Sequence, residues 1–144
     1  MATRYDILQL IPQRPPIVMV DAFDGFDGNT SVTTFTVRPD NLFVANGELQ
    51  ESGVIEHIAQ SAAARCGYEN LSRGETVPLG YIGAVEKLQL FGLPAVGECL
   101  TTRIEVLQKV FGITLVAAET KSGDKSVCSC RMKIFIENSH EKKA

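Results

Sequence analysis

The sequence of 144 residues contains no tryptophan, only two histidines and no Cys-x-x-Cys pair. Its four cysteines are Cys66, Cys99, Cys128 and Cys130. Structural zinc sites draw their ligands from closely spaced cysteines and histidines, so with His57 and His140 as the histidines we expect no metal site. Scattered cysteines without a disulfide framework are typical of reduced thiols in a cytoplasmic protein.

Neither positive nor negative charge is in large excess, and long apolar runs are absent. The formal net charge is −3, and the basic residues form no run apart from Lys142 and Lys143, which argues against nucleic acid as a partner. No stretch approaches the ~18 apolar residues that a membrane-spanning helix needs. Residues 1–10 are too polar for a secretory signal. These absences predict a cytoplasmic protein without a membrane span.

The chain does contain enough apolar material for a core. It is 44% hydrophobic, and its length suits a single domain over residues 1–144. Residues 138–144 are polar, so we expect them to form a flexible tail.

One long helix is predicted over residues 52–70. Ile55, Ile58 or Ala59, Ala62 and Cys66 recur at helical spacing, and Ser52 or Gly53 can sit at the start, where serine is a favoured N-cap. Small side chains such as those of residues 62–64 and 67 let other backbones come close. At about 1.5 Å per residue the helix spans roughly 27 Å, and we expect protein to wrap around it.

The remaining pattern predicts strands. A short helix is expected at residues 5–11, and residues 38–51 read as a loop without clear periodicity. Strands rich in β-branched residues or with alternating polarity are expected at residues 17–23, 30–37, 79–91, 100–106, 113–120 and 128–136. Strands surrounding one helix indicate an α+β fold with a curved antiparallel sheet of about six strands. The strand at residues 79–91 is our candidate for an edge that pairs across a two-fold axis.

The long helix carries a conspicuous carboxylate near its start. Glu56 is either a helix-start carboxylate favoured by the helix dipole or a proton donor whose pKa burial raises. Gln60 lies one turn further on the same face and either holds that carboxylate or lies on the surface. His57 points about 100° away around the helix, either towards a flank or towards a catalytic site.

Three stretches of the sequence, in this order, resemble a known family. They are Leu-Ile-Pro-Gln-Arg-Pro-Pro-Ile-Val-Met-Val-Asp at residues 10–21, Glu-His-Ile-Ala-Gln at residues 56–60, and Leu-Pro-Ala-Val-Gly-Glu at residues 93–98. They resemble motifs of the hotdog-fold 3-hydroxyacyl-[acyl-carrier-protein] dehydratases. Two features depart from that family: Gln13 stands where its Pro-His-Arg segment has histidine, and its Gly-His-Phe-Pro-Gly loop is absent. The shortened loop resembles dehydratase-like proteins of aryl-polyene and flexirubin-type pigment pathways.

The resemblance implies roles for particular residues. Glu56 takes the acid role, with Gln60 beside it, and Gln13 occupies the position of the catalytic histidine. Gly53 offers an N–H group to the thioester oxygen or is an ordinary helix-start glycine. Arg14 anchors the loop or meets an acidic carrier protein. No cofactor is expected.

The resemblance also implies a dimer whose sites combine residues of both subunits, with acyl chains entering between the helix and a neighbouring strand. The substrate would be a thioester of acyl carrier protein or coenzyme A. Because glutamine cannot abstract a proton near neutral pH, two alternatives stay open beside a dehydratase. One is a thioesterase in which the helix carboxylate activates water; such an enzyme needs no histidine, so Gln13 counts less against it. The other is a non-catalytic acyl-binding subunit that pairs with an active paralogue, rather than forming a homodimer.

Overall fold

The computed structural model describes residues 5–137. These residues form two helices, α1 (Ile7–Leu10) and α2 (Glu51–Ser72), and eight strands. The strands are β1 (Ala22–Phe26), β2 (Thr30–Thr36), β3 (Val44–Ala45), β4 (Glu48–Leu49), β5 (Leu79–Leu90), β6 (Cys99–Val110), β7 (Ile113–Ser122) and β8 (Lys125–Glu137). The predicted tail at residues 138–144, with His140, lies outside the described residues.

Six of the strands form one sheet in the order β1-β2-β6-β7-β8-β5. Every neighbouring pair in it is antiparallel, which confirms the predicted sheet. β5 lies at one edge of the sheet, as the sequence also predicts. β3 and β4 form a separate two-stranded hairpin.

The core lies between this sheet and α2. The helix contributes Val54, Ile58 and Ala62. Side chains alternate between the two faces of a strand, and the inward-facing ones from the sheet include Phe35, Leu100, Ile104, Val116 and Met132. Other helix positions of the predicted apolar stripe, Ile55, Ala59 and Cys66, are only half-buried. The helix therefore has an apolar face that the sheet core covers only in part, since Ile55 and Ala59 also pack against that core.

Helix α1 packs against the second half of α2. Leu10 and Ile11 form a buried cluster with Ala64 and Tyr68. A Cβ atom at Gly67 would collide with the carbonyl oxygen of Leu10, so glycine is what allows the two backbones to come this close. The small residues of the helix thus serve the close packing that the sequence predicts.

The predicted strand at residues 17–23 is wrong over residues 17–21, since β1 begins only at Ala22. The backbone before β1 is bonded to side chains of α2. The Met19 N–H donates to Gln60 Oε1 at 2.6 Å, and the Met19 carbonyl is 2.7 Å from His57 Nδ1. The apolar pattern of this segment therefore resembles that of a strand, although the hydrogen-bond partners of its backbone lie on a helix.

The start of α2 also differs from the prediction. The helix begins at Glu51 with Gln50 as its N-cap, one or two residues before the predicted Ser52 or Gly53. The β3–β4 hairpin lies within residues 38–51, which the pattern predicts as loop. The side-chain amide of Gln50 donates to two carbonyls of this hairpin region, at 3.1 and 3.0 Å, and so ties the hairpin to the helix start.

Candidate functional site

A groove of about 960 Å³ runs between α2 and the β5 edge of the sheet. This volume falls within the range of small-molecule sites. Pro12, Gln13 and Glu56 are among the residues that line the groove. Apolar side chains from the helix and the sheet also line it, including Ala59, Ala62, Ala63, Ile82, Ile134 and Ile136. The partly covered face of α2 that carries Ala59 and Cys66 is thus one wall of the groove.

Glu56 is half-buried on the groove wall. Its Oε2 atom accepts a hydrogen bond of 2.8 Å from Gln60 Nε2. The predicted spacing of one helical turn brings the two side chains together, as expected for residues i and i+4.

Gln60 is fully buried and holds Glu56 through hydrogen bonds that use both of its N–H donors and its side-chain oxygen. Its Oε1 accepts from the Met19 N–H, and its Nε2 donates to the Ile17 carbonyl at 2.9 Å as well as to Glu56. Since a backbone N–H can only donate and a carbonyl can only accept, the orientation of the amide is fixed. Glu56 Oε2 must therefore be an acceptor, and its position depends on the backbone at residues 17–19.

Gln13 lines the same groove as Glu56. Its Oε1 is buried and has no hydrogen-bond partner among residues 5–137. An unpaired buried acceptor is costly, so this oxygen is suited to receive a hydrogen bond from a ligand. Arg14 Nη1 donates to the carbonyls of Ile11 and Gln13 at 2.9 and 2.8 Å, which fixes the backbone that carries Gln13.

His57 lies in the core and not in the groove. Its Nδ1 donates to the Met19 carbonyl, so Nε2 accepts from Thr102 Oγ1 at 2.7 Å, and Thr102 accepts in turn from Thr120. Burial lowers the pKa of His57 from 6.5 to about 4. Both ring nitrogens are occupied, which leaves this histidine no proton-transfer partner in the groove.

Gly53 is buried in the first turn of α2. Its N–H donates to the Gln50 carbonyl at 2.9 Å. A Cβ atom at this position would come within 2.6 Å of side-chain atoms of Phe43 and Leu49. Close packing therefore explains the glycine, and its N–H is already paired within the helix.

An ion network lines the groove beside the second half of α2, and the sequence analysis did not identify it. Glu69 accepts from Lys109 Nζ at 2.8 Å and from Arg65 Nη2 at 3.3 Å. Burial by itself would raise the pKa of Glu69, but the hydrogen bond from Lys109 and the positive charge of Arg65 outweigh it, and the pKa is lowered. Arg65 and Glu69 are spaced i, i+4, a signal available in the sequence, whereas the position of Lys109 depends on the fold.

Residues 5–137 hold no group of three or more histidine, cysteine or carboxylate side chains that could bind a metal ion. Within the same range, no helix has the length and apolar character needed to cross a membrane.

The chain matches the family model of ApeP-like proteins, described as ApeP dehydratase, over residues 5–143. It is also similar to 3-hydroxyacyl-[acyl-carrier-protein] dehydratases named FabZ. The FabZ of Pediococcus pentosaceus is 27% identical and the match covers 96% of this chain and 94% of the relative. The FabZ of Levilactobacillus brevis is 24% identical, with 97% of each chain covered.

Solved structures agree on the fold. A chain of the dehydratase heterocomplex ApeI:P from Xenorhabdus doucetiae superposes with a TM-score of 0.89 at 18% identity, covering 98% of this chain and 97% of that one. The Escherichia coli PaaI protein superposes with a TM-score of 0.63 at 17% identity, covering 78% and 80%. The predicted hotdog fold is confirmed, and the chain belongs to the ApeP-like family of hotdog dehydratases related to FabZ.

Proposed function

We propose that this chain acts on 3-hydroxyacyl thioesters carried by acyl carrier protein and removes water from them. The observation that carries the proposal is the Glu56 carboxyl group at the head of an apolar groove, with one oxygen fixed by Gln60. The curated relatives named above are dehydratases of this substrate class, which supports the same reaction here.

The reaction breaks the C2–H and C3–O bonds and forms a C2=C3 double bond. The proton from C2 must go to a base, and the C3 hydroxyl leaves as water after it receives a proton. Glu56 is the proton donor to that hydroxyl in our assignment. The unpaired Oε1 of Gln13 is suited to accept the hydrogen bond of the substrate hydroxyl and so to orient C3 towards Glu56.

The base is the second requirement. No histidine is among the described residues that line the groove, and an amide such as that of Gln13 cannot take a proton near neutral pH. In one chain acting alone, the ionised Glu56 must therefore take the C2 proton and then pass it to the hydroxyl. This single-carboxyl route conserves the proton without a further group.

A second candidate is an acyl-binding subunit that depends on another hotdog chain for its base. The histidine-free lining of the groove favours it, as does the occurrence of a structurally similar chain in the ApeI:P heterocomplex. In that case substrate binds in the groove, but the chain alone releases no product.

The test is to incubate the purified chain with a 3-hydroxyacyl thioester of acyl carrier protein and to follow the intact mass of the carrier. Loss of one water from the acyl group is expected, with Glu56→Gln reducing the rate by at least about 100-fold, as for removal of an acid–base group. Glu51→Gln, at an exposed carboxylate of the same helix, is the matched control. Loss of the whole acyl group would instead indicate a thioesterase, and binding without turnover would indicate the second candidate.

A further inference from the structure

His57 is a buried polar residue that the proposed reaction does not use. Its ring is fully buried and stacks on Phe35, with the ring centroids 5.5 Å apart. Nδ1 donates to the Met19 carbonyl and Nε2 accepts from Thr102 Oγ1, each at 2.7 Å. Burying a polar group costs free energy unless it is hydrogen-bonded, and both ring nitrogens are. The ring is therefore fixed in position and orientation, and through Nδ1 it also fixes the backbone at Met19.

Two side chains of α2 hold the same residue of the segment before β1. Gln60 Oε1 accepts from the Met19 N–H at 2.6 Å, while His57 Nδ1 donates to the Met19 carbonyl. His57 and Gln60 are three positions apart, so they are neighbours on the helix surface. Both backbone polar groups of Met19 are thus paired with the helix instead of with a neighbouring strand. We call these two side chains, with Met19 between them, the Met19 clamp.

The Met19 clamp is connected to the carboxylate in the groove. The carboxamide of Gln60 that accepts from Met19 also donates to Glu56 Oε2 at 2.8 Å. An amide group is planar, so its oxygen and its nitrogen move together. A displaced Met19 N–H would therefore displace the hydrogen bond that holds Glu56.

The segment that contains Met19 is also connected to Gln13. The Ile17 carbonyl accepts from Gln60 Nε2 at 2.9 Å, and the Ile17 N–H donates to the Arg14 carbonyl at 3.0 Å. Arg14 Nη1 in turn donates to the Gln13 carbonyl at 2.8 Å. A shift of residues 17–19 would therefore reach the backbone that carries Gln13.

We propose that His57 is a positioning residue, whose bond to the Met19 carbonyl keeps the Met19 clamp in place and so fixes Glu56 in the groove. The proposal rests on the proposed function, because it takes Glu56 as the proton-transferring group. His57 does not line the groove, so it acts on the rate only through the geometry of other residues. A displacement of about 1 Å in a reacting group can slow a reaction by about 100-fold.

Two substitutions distinguish the two nitrogens of the ring. The side-chain amide of asparagine places a donor at about the position of Nδ1, and that of glutamine places one at about the position of Nε2. His57→Asn can therefore keep the bond to Met19, whereas His57→Gln loses this bond and keeps a polar group beside Thr102. Both variants remove the ring and its contact with Phe35, so each disturbs the core in a similar way.

The first measurement is the rate of water loss from a 3-hydroxyacyl thioester of acyl carrier protein, with kcat and KM determined separately at a temperature where every variant is folded. His57→Gln should lower kcat by about 10- to 100-fold with little change in KM, because the position of a reacting group is lost and not substrate binding. His57→Asn should retain most of the rate. Equal loss of kcat in the two variants would overturn the proposal.

Ser61→Ala is the control for damage to the core. It removes a buried hydroxyl of the same helix, which accepts from Thr33 Oγ1 at 2.7 Å and donates to the His57 carbonyl at 2.8 Å. The side chains of the Met19 clamp keep their bonds in this variant, so kcat should be unchanged. A loss of kcat as large as that of His57→Gln would count against a specific role of the clamp.

The second measurement does not depend on turnover. NMR gives the hydrogen exchange rate of the Met19 N–H relative to that of the Asp21 N–H, which donates to the Thr34 carbonyl of β2 at 2.8 Å. The ratio should rise by about tenfold in His57→Gln, the effect of losing one hydrogen bond, and should stay near the wild-type value in His57→Asn. An unchanged ratio, or an equal change in both variants, would refute the clamp.

The two measurements separate the proposal from the proposed function. A wild type that removes no water refutes the single-chain reaction, and the exchange ratio then decides whether His57 holds the segment at Met19. Water loss with the same kcat in the wild type and both His57 variants refutes the positioning role and leaves the proposed function standing.

Discussion

Glu56 and His57 are neighbours in sequence with opposite environments. Consecutive helix residues point about 100° apart, and here that rotation takes Glu56 to the groove and His57 to the core. The sequence singles out both residues as chemically active side chains. It cannot decide between them, because which helix face the sheet covers is set by packing across the whole molecule.

The buried histidine gives a prediction about stability and pH. Its pKa is lowered from 6.5 to about 4 on folding, so between these values the unfolded chain binds a proton that the folded chain does not. The contribution of His57 to stability is therefore complete above pH 6.5 and is lost as the pH falls towards 4. Lowering the pH from 7 to 5 should reduce the free energy of unfolding in urea by about 2 kcal/mol.

His57→Asn serves as the comparison for that measurement. It removes the titrating ring, so its stability should be lower at pH 7 and should change much less between pH 7 and pH 5. Equal pH dependence in the wild type and the variant would show that His57 is not the group responsible.

The contacts of Gln60 show which part of the candidate site can be predicted from the sequence and which part cannot. Its contact with Glu56 follows from helical spacing. Its bonds to Met19 and Ile17 join residues 41 and 43 positions apart, and no local pattern encodes them. The sequence thus identifies the carboxylate and its amide neighbour, whereas the groove, the ion network and the buried acceptor of Gln13 emerge only from the fold.

Among the elements, those with a strong local pattern are predicted best. The long helix and the alternating strands β2, β6 and β8 are found where expected because their burial follows their own periodicity. The strand prediction fails at residues 17–21, because the backbone of Ile17 and Met19 is hydrogen-bonded to the Gln60 side chain of α2. Such bonds depend on tertiary contacts that a short apolar run does not specify.

The contact between α1 and α2 gives a prediction at the scale of elements. Gly67→Ala improves the intrinsic helix propensity by about 1 kcal/mol, but its methyl group would collide with the Leu10 carbonyl oxygen. Overpacking of this kind costs about 1–3 kcal/mol, and since the obstacle is backbone we expect a net loss of stability in urea unfolding. Gly92→Ala is the control, since a Cβ there has no atom within 4 Å. A more stable Gly67→Ala protein would contradict the close contact.

At the scale of the whole molecule, the order of elements is enough to predict the sheet. It does not show what pairs with the free edge of β5. β8 is the one sheet neighbour of β5 within the described chain. The strand also exposes apolar side chains, including Leu79, Tyr81, Ile82 and Leu88. An unpaired apolar edge favours pairing with a second chain, which agrees with the dimer that the family resemblance implies.

A charged substitution on this edge tests that pairing. We expect the wild type to sediment as a dimer and Leu88→Lys to shift towards monomer, because a buried unpaired charge is strongly unfavourable at an interface. Leu107→Lys is the control, since Leu107 is also exposed, at 42%, but lies on the interior strand β6. A monomeric wild type, or equal dissociation of both variants, would argue against β5 as the interface.

The most direct measurement of the central claim is the intact mass of a 3-hydroxyacyl carrier protein after exposure to the wild type, Glu56→Gln and Glu51→Gln. If Glu56 is the proton-transferring group of the groove, the wild type and Glu51→Gln remove one water from the acyl chain and Glu56→Gln leaves it intact. Undiminished water loss with Glu56→Gln would contradict the claim.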